Sequence, residues 1–242
     1  RHYFYHPLLD MKKQFSGIQK FYNSFGEFGE TDIPRALAKL DTQGLRVDWV
    51  HTMESVWIEN LGNNRFRYHS LPKEAQFAPI FGILPVDING DRYVDLLLTG
   101  NDYGMEIRQG RADALNGLVL INDTKKGFYP LKPEESGFFV PGEGRGLIQI
   151  PQKDNLLVVA SQHNDHMLAF ALKNPSSRRF VKLPPGTVKA ITHFKNGQIQ
   201  AQWCFGGSGF FSQGVSVGML SGEVAKIECL GQNRKILATL TP

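Results

Sequence analysis

Apolar positions along the chain change period near residue 45. Before it, Met11, Phe15, Ile18, Tyr22 and Phe25 recur at steps of four and three, the stripe of an amphipathic helix. Gly26 and Gly29 end that run. Thr31 or Asp32 then caps a second, shorter helix with Pro34 in its first turn and Ala36, Leu37 and Leu40 on one side, closed by Gly44. An aromatic stripe of this spacing reads as a packing face rather than a ligand box. From Leu45 the period drops to two. Leu45, Val47, Trp49 and His51 share one face of a predicted strand, with His51 a partly buried, satisfied histidine. Short apolar runs bounded by Gly, Pro, Asn and Asp continue from there to the C-terminus, the pattern of a turn-rich β protein.

Part of this β region is duplicated. Sixty-two residues separate Asn60 from Asn122 and Phe66 from Phe128, and sixty separate Leu71 from Leu131 and Leu96-Leu97 from Leu156-Leu157. A constant offset predicts two copies of one supersecondary unit, and a unit of about sixty residues with several short strands fits a propeller blade. A third, partial unit starts at Met167 to Leu172 and turns through Asn174 to Phe180. Pro184-Pro185-Gly186 reads as a linker. Alternating strands follow it at Val188-Ala190-Thr192, Ile199-Ala201-Trp203 and Val224 to Ile227. The predicted organisation is mainly β: a helical arm over 1–44, propeller-type blades over 45–183 and a small β domain over 184–242. Closed propellers need at least about four blades. This partial propeller therefore has an open sheet edge, to be covered by the N-terminal helices, by blades further upstream or by self-association with a second copy.

The first copy carries the most specific chemical signal, Asp87-Ile88-Asn89-Gly90-Asp91-Arg92-Tyr93-Val94-Asp95. Side-chain oxygens fall at loop positions one, three, five and nine, from Asp87, Asn89, Asp91 and Asp95, and the Tyr93 carbonyl can supply position seven. Ca²⁺ takes six to eight such oxygens. Gly90 gives the bend its permissive backbone. The flanks Phe81 to Val86 and Val94 to Leu98 read as two strands, so the motif is a β-hairpin with a cation in its turn. It is not an EF-hand: position twelve is Leu98, and no helices flank the loop. The metal-free alternative is a surface turn built by its own Asx side chains. Arg92, at position six, opposes the metal through backbone strain and its own charge. In the second copy Pro151-Gln152-Lys153-Asp154-Asn155 replaces the acidic loop, so one metal is expected.

The run Trp57 to Phe66, with Leu71-Pro72, Ala75-Gln76-Phe77-Ala78-Pro79 and the Asp87 loop, resembles an FG-GAP/VCBS-type β-propeller repeat. Gly100-Asn101-Asp102-Tyr103-Gly104, Gly110-Arg111, Asp113-Ala114, Asn116-Gly117 and Glu135 to Gly142 are similar to one subset of that family, large secreted or surface proteins of Bacteroidetes-type bacteria. Gly206-Gly207-Ser208-Gly209-Phe210-Phe211-Ser212-Gln213 resembles the core of the ASPIC/UnbV module that commonly follows such repeats; Gly214-Val215-Ser216 depart from it. The resemblance implies calcium-type loops between strands, an extracytoplasmic setting with millimolar calcium, and a small C-terminal β domain without a biochemical role of its own.

An inserted loop, Asn101 to Asn116, separates the two copies. Asn101, Asp102, Tyr103, Glu106, Arg111 and Asp113 are its candidate ligand-binding residues, with Arg108 beside them, because loops held by a rigid sheet are where binding sits. Internal bracing, with Arg111 paired to Glu106 or Asp113, is the competing reading. Composition narrows the classes. The net charge of +4 is small and scattered, unlike the concentrated basic face of a nucleic-acid binder. No stretch approaches the ~18 apolar residues of a membrane span. With no signal peptide read and Arg1 rather than Met first, the sequence is expected to be a processed or cut segment of something longer. Two cysteines, Cys204 and Cys229, read as buried thiols or as one bond between neighbouring strands.

Catalytic signals are absent. Gly206-Gly207-Ser208-Gly209-Phe210 fails the last place of a nucleophile elbow, and no histidine follows Ser208. Gly142 to Gly146 lacks the Gly-Lys-Ser/Thr ending of a phosphate loop. His163, Asp165 and His166 read as a solvated hairpin tip, short of the three or four placed ligands zinc needs. The expected function is a non-enzymatic, calcium-stabilised surface module that binds a protein or a glycan. The alternatives are a polysaccharide hydrolase, with Glu106 or Asp113 as first carboxylates to test, and a purely architectural segment.

Overall fold

The computed structural model describes residues 2–107, 109–152, 155–172, 178–205 and 214–242. It divides into two units, one ending at Met53 and one beginning at Glu54.

The first unit is helical but not as one stripe. Helix α1 (Leu8–Gln14), a tighter turn at Ser16–Lys20, α2 (Phe25–Glu30) and α3 (Ile33–Leu37) succeed one another. Phe15 leaves α1 in extended conformation, and Ser24 opens α2 by accepting the Glu27 N–H at 3.1 Å. Gly26 and Gly29 thus sit inside α2 rather than ending a helix. Asp32 caps α3 through the Arg35 N–H, with Pro34 in the first turn. Because the chain redirects between Phe15 and Phe25, the periodic positions do not share a face. Leu8, Ile18, Tyr22, Phe28 and Ala36 form the core, and Phe15 and Phe25 are exposed. Residues 45–53 form no strand, and Leu45, Val47, Trp49 and His51 are exposed. Alternation supplies a face, but a strand also needs a neighbouring backbone to pair with, and among the described residues 45–53 join no sheet.

The second unit is mainly β. A two-stranded sheet pairs β1 (Val56–Asn60) with β2 (Phe66–Ser70). A four-stranded sheet follows in chain order: β3 (Ile80–Val86), β4 (Asp95–Gly100), β5 (Leu118–Asp123) and β6 (Gly127–Leu131). After the short helix α4 (Pro133–Ser136) comes a three-stranded sheet of β7 (Gly144–Pro151), β8 (Leu156–Gln162) and β9 (Leu168–Leu172). The remaining strands are β10 (Arg179–Lys182), β11 (Lys189–Phe194), β12 (Ile199–Trp203), β13 (Val217–Leu220), β14 (Val224–Leu230) and β15 (Ile236–Leu240). They form a sheet of order β12-β11-β14-β15 and the pair β10-β13, which joins strands from either side of Pro184-Pro185-Gly186. All named pairings are antiparallel, and none of these sheets closes on itself. The hairpins β1-β2 and β5-β6 pair Asn60 with Phe66 and Asn122 with Phe128.

The main core lies between the four-stranded and three-stranded sheets. Leu84, Leu97 and Val119 meet Leu147, Leu156 and Val158, with Phe138 and Val140 from the chain after α4. Glycine permits the closest approach. A Cβ on Gly82 would stand 3.2 Å from the Cα of Gly146, so β3 and β7 come together backbone to backbone. That approach brings the loops at one end of the two sheets side by side. The core run Gly206 to Gln213 of the C-terminal resemblance, Lys153-Asp154, Asn174 and Arg108 lie outside the described residues. Cys204 and Cys229 are free thiols on opposite sides of β11, and burial pushes both above their ordinary value.

Candidate functional site

The acidic run is the turn between β3 and β4, held where Val86 pairs with Asp95. Each carboxylate and amide oxygen meets an N–H, although Asn89 and Asp91 are exposed. Asp87 Oδ1 accepts from Gly90 at 2.6 Å and Oδ2 from Arg92 at 3.0 Å. Asn89 Oδ1 accepts from Asp91 at 3.0 Å, and Asp91 Oδ1 accepts from Tyr93 at 2.8 Å. Asp91 Oδ2 accepts from the Asn89 amide at 2.9 Å. Asp95 is fully buried, with Oδ2 on the Ile88 N–H at 2.8 Å and Oδ1 on the Asn122 N–H at 2.9 Å. It therefore ties the turn to β5 as well as to itself. Burial pushes its carboxyl above the ordinary value, the two N–H donors oppose that, and Asp91 and Asp87 add to the rise.

Two arginines act on this turn in different ways. Arg92 adopts a left-handed backbone, φ +74°, a strained choice for a residue with a Cβ. Its side chain leads away to the β11-β12 sheet, 3.4 Å from Gln198 Oε1 and 3.7 Å from Glu223, with the guanidinium over the Phe194 ring. Gln200 donates to its carbonyl. Arg178, just before β10, is nowhere in the motif. Its side chain is 4% exposed and sits against the turn: Nη1 lies 3.4 Å from Asp87 Oδ2 and 3.3 Å from the Asp87 carbonyl, and Nη2 lies 3.4 Å from the Ile88 carbonyl. A Cβ on Gly90, whose φ is +87°, would come within 3.3 Å of the guanidinium carbon. A positive charge is therefore already built against the acidic turn. Sequence reasoning missed it because 91 residues separate Arg178 from Asp87.

Among the described residues no three His, Cys, Asp or Glu side chains are gathered to hold a metal ion. The donor set of the turn is nonetheless all oxygen, as a hard cation requires, and the guanidinium stands in for positive charge there.

The inserted loop resolves into a brace and a wall. Asn101 is fully buried; its amide donates to the Gly142 carbonyl at 3.0 Å and accepts the Leu115 N–H at 2.9 Å, so it is closed to a ligand. Asp102 and Ala112 exchange both backbone hydrogen bonds. Arg111 lies over the Tyr103 ring, 5.0 Å from its centroid, instead of pairing with Glu106 or Asp113, and those three are exposed. The brace is thus a backbone bridge and a cation on an aromatic face rather than the expected ion pair.

Beyond that loop a cleft of about 530 Å³, lined by both polar and apolar surface, opens between the ends of the two central sheets. Tyr103 and Gly104 form one wall, Gly142, Glu143 and Arg145 the floor, and the β8-β9 turn His163-Asn164-Asp165 the other wall. Glu143 is 4% exposed; its Oε1 accepts the Tyr103 N–H at 2.9 Å and bonds Arg145 Nη2. The His163 N–H donates to the Glu143 carbonyl at 2.9 Å, which fixes the far wall to the floor. Arg145 lies over Phe81, 4.4 Å from the ring centroid, and 4.0 Å from Asp102 Oδ1. Glu143 and Arg145 carried no sequence signal, since their meaning depends on β7 lying beside the inserted loop. Compared with protein-family models and with curated protein sequences, the chain matches none.

Proposed function

We propose that this chain is a non-enzymatic, calcium-braced β-repeat module that works outside the cytoplasm as a binding surface for a glycan or protein. The architecture we propose is a partial propeller with a helical N-terminal arm. The reading rests on the acidic turn, whose closely spaced side-chain oxygens now bond N–H groups of the turn and of β5 and which joins two strands whose far ends support the inserted loop. Asp87, Asn89, Asp91, Asp95 and the Tyr93 carbonyl would hold calcium. The ion would supply positive charge that relieves repulsion among three carboxylates and lowers the cost of ionising buried Asp95. A ligand that binds only the folded state stabilises it in proportion to its concentration over its Kd. Millimolar calcium should therefore raise the melting temperature above that in chelator, and Asp91→Asn should shrink the rise. A melt identical in calcium and in chelator refutes the metal site.

Self-association belongs to the same reading. The β1-β2 sheet has only two strands, fewer than an independent sheet needs, and Ile58, Phe66 and Tyr68 are exposed on it. A second copy that adds a strand or covers this face would complete it.

A further inference from the structure

We propose that the cleft between Tyr103, Arg145 and Asp165 binds a neutral saccharide. This deepens the binding-module reading and rests on it.

The first reason is the unused hydrogen-bonding capacity of the cleft. Arg145 Nη2 makes both of the guanidinium's polar contacts. Among the described residues its Nε and Nη1 donors have no partner, and its side chain is 38% exposed. Asp165 Oδ1 accepts the His166 N–H at 2.7 Å, and Oδ2 has no hydrogen bond among the described residues. His163 and Asn164 also line this wall. The floor thus carries donors and the wall an acceptor of the same cleft. The floor is also held rigid: Glu143 is buried and Arg145 lies flat on Phe81. An ion pair with one partner in solvent brings little net stability. A guanidinium fixed in place under an open cleft is the arrangement that binding requires.

The second reason is charge. Arg145 and Arg111 supply two positive charges at the cleft and its rim, and Glu143, Asp102 and Asp165 supply three negative ones. The balance disfavours an anion such as a phosphate or uronate. The Arg145 donors disfavour a cation. The charged groups of Glu143, Arg145 and Asp165 in the lining disfavour a wholly apolar ligand. What remains is a neutral molecule with several adjacent groups that both donate and accept, which describes sugar hydroxyls. Tyr103, with Arg111 over one face of its ring, lines one wall, and the volume falls within the usual range for small-molecule sites.

The test is an array of neutral and acidic glycans, followed by calorimetry with whichever glycan binds and with its free terminal monosaccharide. The wild-type chain is compared with Arg145→Gln and with the exposed-wall variant Asp165→Ala. Neutral glycans should bind. Each substitution should weaken binding about tenfold or more, since each removes hydrogen bonds to a charged group. Should Arg145→Gln fail to fold, Asp165→Ala alone carries the test. Binding to neutral glycans unaffected by Asp165→Ala, binding confined to acidic glycans, or no glycan binding at all overturns the proposal. Each of these leaves the calcium melt untouched, so loss of the cleft and loss of the metal-braced reading are told apart. A bound glycan that is cleaved would overturn the non-enzymatic reading while leaving the cleft in place.

Discussion

Replacing Arg178 with Met keeps most of the buried volume and removes the guanidinium built against Asp87. The guanidinium is 4% exposed and the Asp87 side chain 10%, so solvent cannot take over for either. Removing one partner of such a buried pair costs about 3–5 kcal/mol. The N···O distance of 3.4 Å exceeds the about 2.8 Å of a tight charge-assisted bond. The two carbonyl contacts, at 3.3 and 3.4 Å, are also long. The lower end, about 3 kcal/mol, is therefore expected. For a chain of this size that is a fall in melting temperature of about 6–12 °C. Thermal and urea melts in chelator measure it. Millimolar calcium should recover part of the loss, because the ion supplies the missing positive charge to the same carboxylates. In a double-mutant cycle, Asp87→Asn should cost less once Arg178 is gone. A loss below about 1 kcal/mol in chelator, or additivity of the two substitutions, refutes the view that Arg178 holds the turn.

Asp95 and the open sheet give two further expectations. Because burial raises the folded-state pKa of Asp95, the folded chain holds that proton more tightly than the unfolded chain. Its contribution to stability is then most favourable at low pH and is lost as pH rises through the folded value. Asp95→Asn should accordingly cost more at about pH 3.5 than at neutrality, measured by urea melts in chelator; a cost that grows toward neutral pH contradicts the assignment. Light scattering after size exclusion should show the chain as an oligomer, and Ile58→Lys, on the exposed face of β1, should return it to monomer. A wild-type monomer at high concentration removes the self-association reading.

The β content, the short strands and the hairpin around the acidic turn were legible in the sequence because each is local. Val86 and Leu96 flank a run of oxygen side chains, and a turn is the only way to bring both flanks into one sheet. The helical first forty residues were legible in kind but not in shape. Periodicity marks Phe15 and Phe25 as one face only if the helix is straight, and the Ser24 cap that breaks it competes locally for the Glu27 N–H. The alternation at Leu45, Val47 and Trp49 misled for a complementary reason. A strand is a property of two segments, and one segment's pattern cannot report that its neighbour is missing. The cleft was half legible. Tyr103 and Asp102 stood out in a polar loop, while Glu143, Arg145 and Asp165 acquire meaning only where Gly82 and Gly146 let β3 and β7 draw together.

Arginine at loop position six is the strongest sequence objection to calcium, and the structure reshapes it. The objection has two parts, strain and charge. The strain is real, since Arg92 keeps a positive φ, but Gln200 on its carbonyl and Phe194, Gln198 and Glu223 around its side chain hold that conformation from outside the turn. The charge is directed the same way, toward Glu223 and away from the carboxylates. The cation that bears on the site is Arg178, which reaches Asp87 from a distant strand. A guanidinium there orders the turn without metal and opposes the entry of a second cation through like-charge repulsion. The two effects have opposite signs for calcium: a preordered turn favours binding and a resident charge disfavours it. On the proposed reading, a turn built this way would fold in dilute calcium and take up the ion only at high concentration, so a calcium titration of the melting temperature should show half-saturation that falls when Arg178 is replaced by Met.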